Sequence, residues 1–240
     1  MADDVIQAVV AHPGLVLGLP AGRTPVPFYR ELVRAHREHR LNLARVTTFN
    51  LDEFIGVPAS DPRSYHAFMD RQLFGHVNCT PRKINFLDGM ADDTDRECRR
   101  YERAIARAGG IDIMILGLGT NGHIGFNEPG GFLIAATHRT RLTPATRRAN
   151  AALFDFRMAD VPRAVRSIAI ATILGARQIV LLATGAAKAR CVERTLTGPV
   201  TPALPASFLQ LHQNTEVWLD RAAARRLLRR APLSRRAGLP

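Results

Sequence analysis

Apolar residues in this chain fall in short runs, and each run stops at glycine or at a polar cluster. Leu15-Val16-Leu17-Gly18-Leu19 leads into Pro20-Ala21-Gly22-Arg23-Thr24-Pro25, and a helical stretch follows from about Val26 to Arg37. Val46-Thr47-Thr48-Phe49 ends in Asn50-Leu51-Asp52-Glu53, and Ile111 to Leu116 ends in Gly117-Leu118-Gly119-Thr120-Asn121-Gly122-His123. Ile179 to Ala183 ends in Thr184-Gly185, ahead of an alanine-rich helix around Ala186 to Leu196. Two more strands are expected at Arg166 to Ala171 and Glu216 to Leu219. The runs carry apolar residues on both alternating faces, so both faces of each strand need cover. Strand alternating with helix along the whole length predicts an α/β fold. Its plan is a doubly wound, mostly parallel sheet with helices on both faces, Rossmann-like in outline.

The punctuation agrees with that plan. Ser64 is placed to cap a helix over Tyr65 to Leu73, and Asp92 and Asp93 precede one that runs to about Ala108. Pro25 and Pro162 stand at expected helix starts. No Gly/Ser linker, repeat or low-complexity block divides the chain. Residues 1–220 are therefore expected to form one domain, with 221–240 as an arginine-rich helix end and tail.

Composition narrows the function classes. At 240 residues, 46% hydrophobic and 22% charged, the chain is long enough to bury a full core. No apolar run reaches the roughly 18 residues that span a bilayer. Asp3 and Asp4 at the start do not make a signal peptide. Cys79, Cys98 and Cys191 are odd in number and widely spaced, which suits a reducing, cytoplasmic setting. The eight histidines are scattered singly, so no metal cluster is expected. A net charge of +12 raises the question of nucleic acid, and Arg221, Arg225, Arg226, Arg229, Arg230, Arg235 and Arg236 concentrate at the end. Neither a recognition fold nor a set of stacking aromatics accompanies them, so a solvated helix face and tail are expected instead of a nucleic-acid site.

Candidate chemistry gathers where the strands end. In open parallel sheets, ligands bind beyond the carboxyl ends of the strands. The turn Gly18 to Thr24 lets backbone N–H groups approach an anion beside a helix N-terminus, although an ordinary strand-to-helix turn looks the same. Lys188 is one of only two lysines, with Lys83, among 33 basic residues; its ammonium suits a phosphate, and an incidental surface position is the alternative. Asp52-Glu53 offers a carboxylate for proton abstraction, or simply a turn cap. His123 is framed by glycines near Asn121 and followed by Glu128-Pro129, an arrangement that can orient an imidazole for proton shuttling.

The stretches Thr48-Phe49-Asn50-Leu51-Asp52-Glu53-Phe54, Pro62-Arg63-Ser64-Tyr65 and Gly122-His123-Ile124-Gly125-Phe126-Asn127-Glu128-Pro129 closely resemble those of the glucosamine-6-phosphate deaminase family. The similarity runs from about Leu15 to Leu219 and includes Leu142-Thr143-Pro144, Thr146-Arg147, Thr184-Gly185-Ala186-Ala187-Lys188 and Leu209-Gln210-Leu211-His212. The resemblance implies conversion of glucosamine 6-phosphate and water to fructose 6-phosphate and ammonium, with no cofactor and no metal. It implies that His123 assists ring opening, that Asp52 moves a proton between C2 and C1, and that Glu128 and Asn121 hold His123. Ala21, Gly22, Arg23, Thr24 and Lys188 would grip the phosphate.

Three departures from the family pattern stand out. Ala21 replaces a threonine, Asn121 stands where many relatives carry aspartate, and Ala152 stands where an arginine is expected. Gly131 to Thr140 lacks the polar and basic set of an allosteric phosphate pocket, so no such activation is expected. Only one helix-like segment precedes the first clear strand, so a usual leading element of the family is expected to be missing. The partner expected is a small-molecule amino-sugar phosphate, with a possible homo-oligomer. A 6-phosphogluconolactonase-like hydrolase and a catalytically weakened binder of amino-sugar phosphate are the rival expectations.

Overall fold

The structure, a computed structural model, describes residues 1–230. In chain order its elements begin α1 (Ala2–Ala11), β1 (Val16–Leu19), α2 (Val26–Arg37), β2 (Thr47–Asn50), β3 (Asp52–Phe54), α3 (Tyr65–Gln72), β4 (Ile84–Asn85), α4 (Thr94–Arg107) and β5 (Ile113–Gly117). They continue β6 (His138–Arg141), α5 (Pro144–Asn150), β7 (Ala164–Ser167), α6 (Ile170–Leu174), β8 (Gln178–Ala183), α7 (Ala189–Thr197), β9 (Thr215–Leu219) and α8 (Arg221–Arg230). The remainder of the expected arginine-rich tail, with Arg235 and Arg236, lies outside the described residues. No helix among the described residues is long and apolar enough to cross a membrane.

Six strands form one parallel sheet in the order β4-β2-β1-β5-β8-β9. The order reverses direction between β1 and β5, where adjacent crossovers leave the sheet in opposite directions and open a crevice. Alternation along the central strands explains why they read as continuously apolar. Ile113, Ile115, Val180 and Leu182 pack with Ile6 of α1, Leu32 of α2 and Met69 of α3. Met114, Leu116, Ile179 and Leu181 pack on the other side with Tyr101 of α4, Ile173 of α6, Val192 of α7 and Ala223 of α8. Each face of the sheet is thus sealed by its own helical layer.

The expected strand over Arg166 to Ala171 is corrected. It is β7, Ala164–Ser167, and it belongs to a second, antiparallel sheet in the order β3-β7-β6. Chain after Ile168 turns into α6. Ile168 to Ala171 is apolar throughout, with no glycine or proline between β7 and α6, so the boundary is set by tertiary hydrogen bonds, with the Ile168 N–H donating to Leu51 O at 2.8 Å. Pro162 accordingly precedes a strand, not a helix, and its lost N–H is harmless at a strand start. The caps at Ser64 and Asp93 form as expected, accepting from the N–H of Ala67 and of Arg96. A third apolar cluster, around Phe54, Tyr65, Phe126, Phe154 and Val165, fills the space beneath the small sheet.

Candidate active site

A cleft of about 430 Å³ lies over the carboxyl ends of β1, β2 and β5, at the point where the strand order reverses. Its walls include Ala21, Gly22, Arg23 and Thr24 from the turn after β1, and Asp52 from the start of β3. Gly119, Asn121 and His123 come from the loop after β5, and Lys188 from the turn after β8. Eight of the nine sequence-derived candidates therefore meet on one cavity. The ninth, Glu128, stands behind His123.

Asp52 and Glu53 have separate environments although they are neighbours. Successive residues of a strand point to opposite sides. Asp52 faces the cleft at 6% exposure, and among the described residues no protein group bonds to its carboxylate. Burial first, and then the charge of Glu53, pushes its pKa up to about 8. Glu53 points away from the cleft and accepts the N–H groups of Tyr65 and His66 at 3.0 and 2.9 Å, in the first turn of α3. Glu53 thus caps the first turn of α3, while Asp52 faces the cleft.

His123 is shaped by its glycines. A Cβ on Gly119 would stand 2.5 Å from the imidazole Cε1 and Nδ1, so only glycine leaves room for the ring to lie against the backbone. Phe126 stacks on the imidazole at 6.1 Å between centroids. Nδ1 is buried and 3.7 Å from Glu128 Oε2, an ion-pair separation just beyond a hydrogen bond. That leaves Nε2 as the ring nitrogen available to a ligand. Glu128 is itself held by Asn121 Nδ2 at 2.7 Å and by Thr146 Oγ1 at 2.5 Å. Burial alone would raise the Glu128 pKa. The opposing bonds and charge from His123, with Thr146 and Asn121, outweigh it and hold the carboxyl below its ordinary range.

Lys188 ends a short 3₁₀ turn before α7, and its Nζ donates to Leu118 O at 2.6 Å. Burial, partly offset by Cys191, lowers its pKa. Gly185 opens that turn at φ +91, and the Asp220 carboxylate accepts its N–H at 2.9 Å. On the opposite rim, Gly22 at φ +102 makes the turn that delivers Arg23 and Thr24 to the N-terminus of α2, the positive end of its dipole. Neither Arg23 nor Lys188 has a carboxylate partner among the described residues. Two cations without carboxylate partners and a helix N-terminus thus give this end of the cleft a positive lining.

Sequence reasoning missed Thr146, Tyr65 and Asn150 as cleft residues. The Tyr65 hydroxyl donates to Asn150 Oδ1 at 2.9 Å, and its ring stacks on Phe54 at 4.4 Å. The available signal was Thr143-Pro144, a cap followed by proline, which starts α5 and sends Thr146 and Asn150 along one side of it. Ala152 is exposed and does not line the cleft, and the cleft side of α5 otherwise carries Ala145 and Ala149. No group of three His, Cys, Asp or Glu side chains among the described residues is arranged to hold a metal ion.

The family model for glucosamine-6-phosphate isomerases and 6-phosphogluconolactonase matches residues 1–218. A glucosamine-6-phosphate deaminase of Halothermothrix orenii is 46% identical over 220 residues, 92% of this chain and 91% of the relative. One from Clostridioides difficile is 44% identical over 226 residues, 94% of this chain and 90% of that one. The solved structure of a monomeric glucosamine-6-phosphate deaminase superposes with a TM-score of 0.90 at 41% identity, over 93% of this chain and 92% of the other. A 6-phosphogluconolactonase from Trypanosoma cruzi superposes at 0.74 with 20% identity, over 94% and 90% of the two chains, a likeness of fold alone. Taken with the cleft, these matches show that the chain belongs to the family of glucosamine-6-phosphate isomerases and 6-phosphogluconolactonases.

Proposed function

We propose that this chain converts glucosamine 6-phosphate and water to fructose 6-phosphate and ammonium. The observation that carries the reading is a buried, unpartnered carboxylate, Asp52, sharing one small cleft with a carboxylate-braced imidazole, His123. The deaminases at 41–46% identity support the same reaction, whereas the lactonase likeness extends only to the fold. Free cysteines suit a reducing cytoplasm. Residues 1–220 serve as one catalytic domain.

In this mechanism His123 takes the O1 proton of the pyranose and returns it to the ring oxygen, opening the sugar to its amino aldehyde. Ionised Asp52 then removes the C2 proton. The C–H pair becomes the C1=C2 bond, and the carbonyl pair moves to O1, which takes up the proton that the substrate's ammonium group gives up, leaving a neutral enolamine. Asp52 delivers its proton to C1 while the nitrogen lone pair forms a C2 iminium. Water adds at C2 and ammonia leaves, giving the ketose. A carboxyl with a pKa near 8 is well matched to this work, because proton transfer is most effective when donor and acceptor sit near the working pH. Glu128, held by Asn121 and Thr146, stabilises the imidazolium. Gly22, Arg23, Thr24 and Lys188 hold the phosphate, and Ala21 adds only a methyl to that turn.

The test is an ammonia-release assay over glucosamine 6-phosphate, galactosamine 6-phosphate and the unphosphorylated sugars, with lactone hydrolysis run in parallel. Release from glucosamine 6-phosphate is the expected result; silence there, or turnover of the lactone alone, would sink the reading. Lys188→Gln is expected to raise KM for the phosphorylated sugar by about 10- to 100-fold, since a charge-assisted hydrogen bond contributes roughly 1.5–3 kcal/mol. The same substitution should leave the response to unphosphorylated glucosamine unchanged.

A further inference from the structure

We propose that Glu53 is a positioning residue for Asp52, one that locks β3 onto the first turn of α3 and keeps a second carboxylate beside the first. The proposal rests on the reading of Asp52 as the proton carrier. Glu53 is 2% exposed, and its oxygens are engaged with backbone. Oε1 accepts from the N–H of Phe54 at 2.8 Å and of Tyr65 at 3.0 Å, and Oε2 accepts from His66 at 2.9 Å. The helix already has its own N-cap, because Ser64 Oγ accepts from Ala67. The Glu53 bonds are therefore additional, and they join two elements that each line the cleft, β3 through Asp52 and α3 through Tyr65.

The carboxylate is also sealed. Arg166, 1% exposed, stands opposite Glu53 in the β3–β7 register. Its guanidinium donates to Asp88 O at 2.5 Å, Ala91 O at 2.6 Å and Thr94 Oγ1 at 3.1 Å, so it holds the loop that covers this face. Gly89 of that loop comes so close that a Cβ would stand 2.4 Å from Phe54 O and 3.4 Å from Glu53 Cγ. The Gly56 N–H closes the contact by donating to Gly89 O at 2.9 Å. Glu53 therefore acts on its neighbour through dry protein, where like charges couple strongly.

Other titratable groups stand in reach of the two acids. Around Glu53 these are Asp52 on its own strand, Tyr65 and His66 on α3, Arg166 on β7 and Asp88 in the loop. Around Asp52 they are the phenols of Tyr29, Tyr65 and Tyr101, each of which Asp52 drives further above the ordinary range, with burial the leading cause. Across the cleft stand His123, Arg23 and Lys188. Burial raises Glu53 to about 7 against the pull of its three N–H donors, so the two neighbouring acids release their protons in coupled steps. Removing the charge at 53 makes the ionised form of Asp52 easier to reach, so its pKa falls.

The decisive measurement is the carboxyl-carbon NMR titration of Asp52 in the full chain, assigned by its loss in Asp52→Asn and compared between wild type and Glu53→Gln. The Asp52 midpoint is expected to fall by roughly one pH unit in Glu53→Gln, taking the acid limb of kcat/KM with it. A midpoint within about 0.2 unit of wild type overturns the proposal. The titration needs no turnover, so it judges Glu53 even if no ammonia is released, a failure that would strike the deaminase reading alone. Glu53→Asp keeps the charge but is one methylene too short to reach α3. It is expected to leave the acid limb in place while kcat drops about tenfold or more and KM stays within about twofold; an unchanged kcat overturns the positioning role. Should Glu53→Gln fail to fold, the aspartate variant carries the test by itself.

Discussion

Asp52→Asn is expected to lower kcat for ammonia release by about 10³-fold while making the protein more resistant to heat at neutral and alkaline pH. The loss follows from chemistry: a general base contributes about 10²–10⁴-fold, and an amide cannot take the C2 proton. Shape is preserved, and because no protein group bonds to the carboxylate among the described residues, the substitution breaks no contact. The gain follows from linkage. Folding raises the pKa of Asp52 from 3.8 to about 8, with burial the larger cause and Glu53 the second. A group raised in this way contributes its full stability below the unfolded value, and that contribution is lost as pH climbs toward the folded one. From about pH 4 to pH 8 the wild-type fold therefore carries a growing cost that the amide avoids. Over about 3 pH units at roughly 1.4 kcal/mol each, the cost at pH 7 is at most about 4 kcal/mol. Melting curves at pH 5 and pH 8 measure it: the gap between variant and wild type should be wider at pH 8. An equal gap at both would show that Asp52 is not the buried acid, and retained turnover would remove it as the base.

Gly119→Ala is expected to reduce kcat by about 10²-fold with little change in melting temperature. Its backbone needs no left-handed conformation, so an alanine there meets no dihedral strain. The obstacle is the imidazole of His123, three of whose atoms stand 2.5–2.6 Å from the added Cβ. Phe126 stacks on the ring, so the ring must slide across its face, away from Glu128 and from its bearing on the cleft. A displacement of about 1 Å is enough for a hundredfold effect on a positioned proton-transfer group. Measured kcat, with far-ultraviolet dichroism as the check on folding, decides it. Full activity would mean that the position of the His123 ring is not critical to turnover.

Much of the plan was legible in the chain. Runs such as Ile113 to Leu116 are apolar at every position because each side chain, whichever way it points, meets a helix. Polar clusters at the ends of these runs marked the rim that became the cleft wall. The small antiparallel sheet was not legible. β3 and β7 are three and four residues long, and only Ile168 and Ala169 separate β7 from α6, so periodicity had little to count. Thr146 and Asn150 escaped notice for a different reason, since their roles arise only when α5 returns over the loop after β5.

The sequence by itself determined which segments could be covered on both sides and which chemistry stands at their ends: two adjacent acids, a glycine-framed histidine, a lone lysine after β8. Tertiary structure alone decided how those groups divide the work. Asp52 turns into the cleft and Glu53 turns into the protein because strand geometry sends neighbours to opposite faces. Which face is the cleft depends on the pairing of β3 with β7. Glu128 becomes the brace of His123 because Thr146, 18 positions further along, folds back to hold it. Contacts over such separations are set by the path of the backbone, and no local pattern of residues encodes that path.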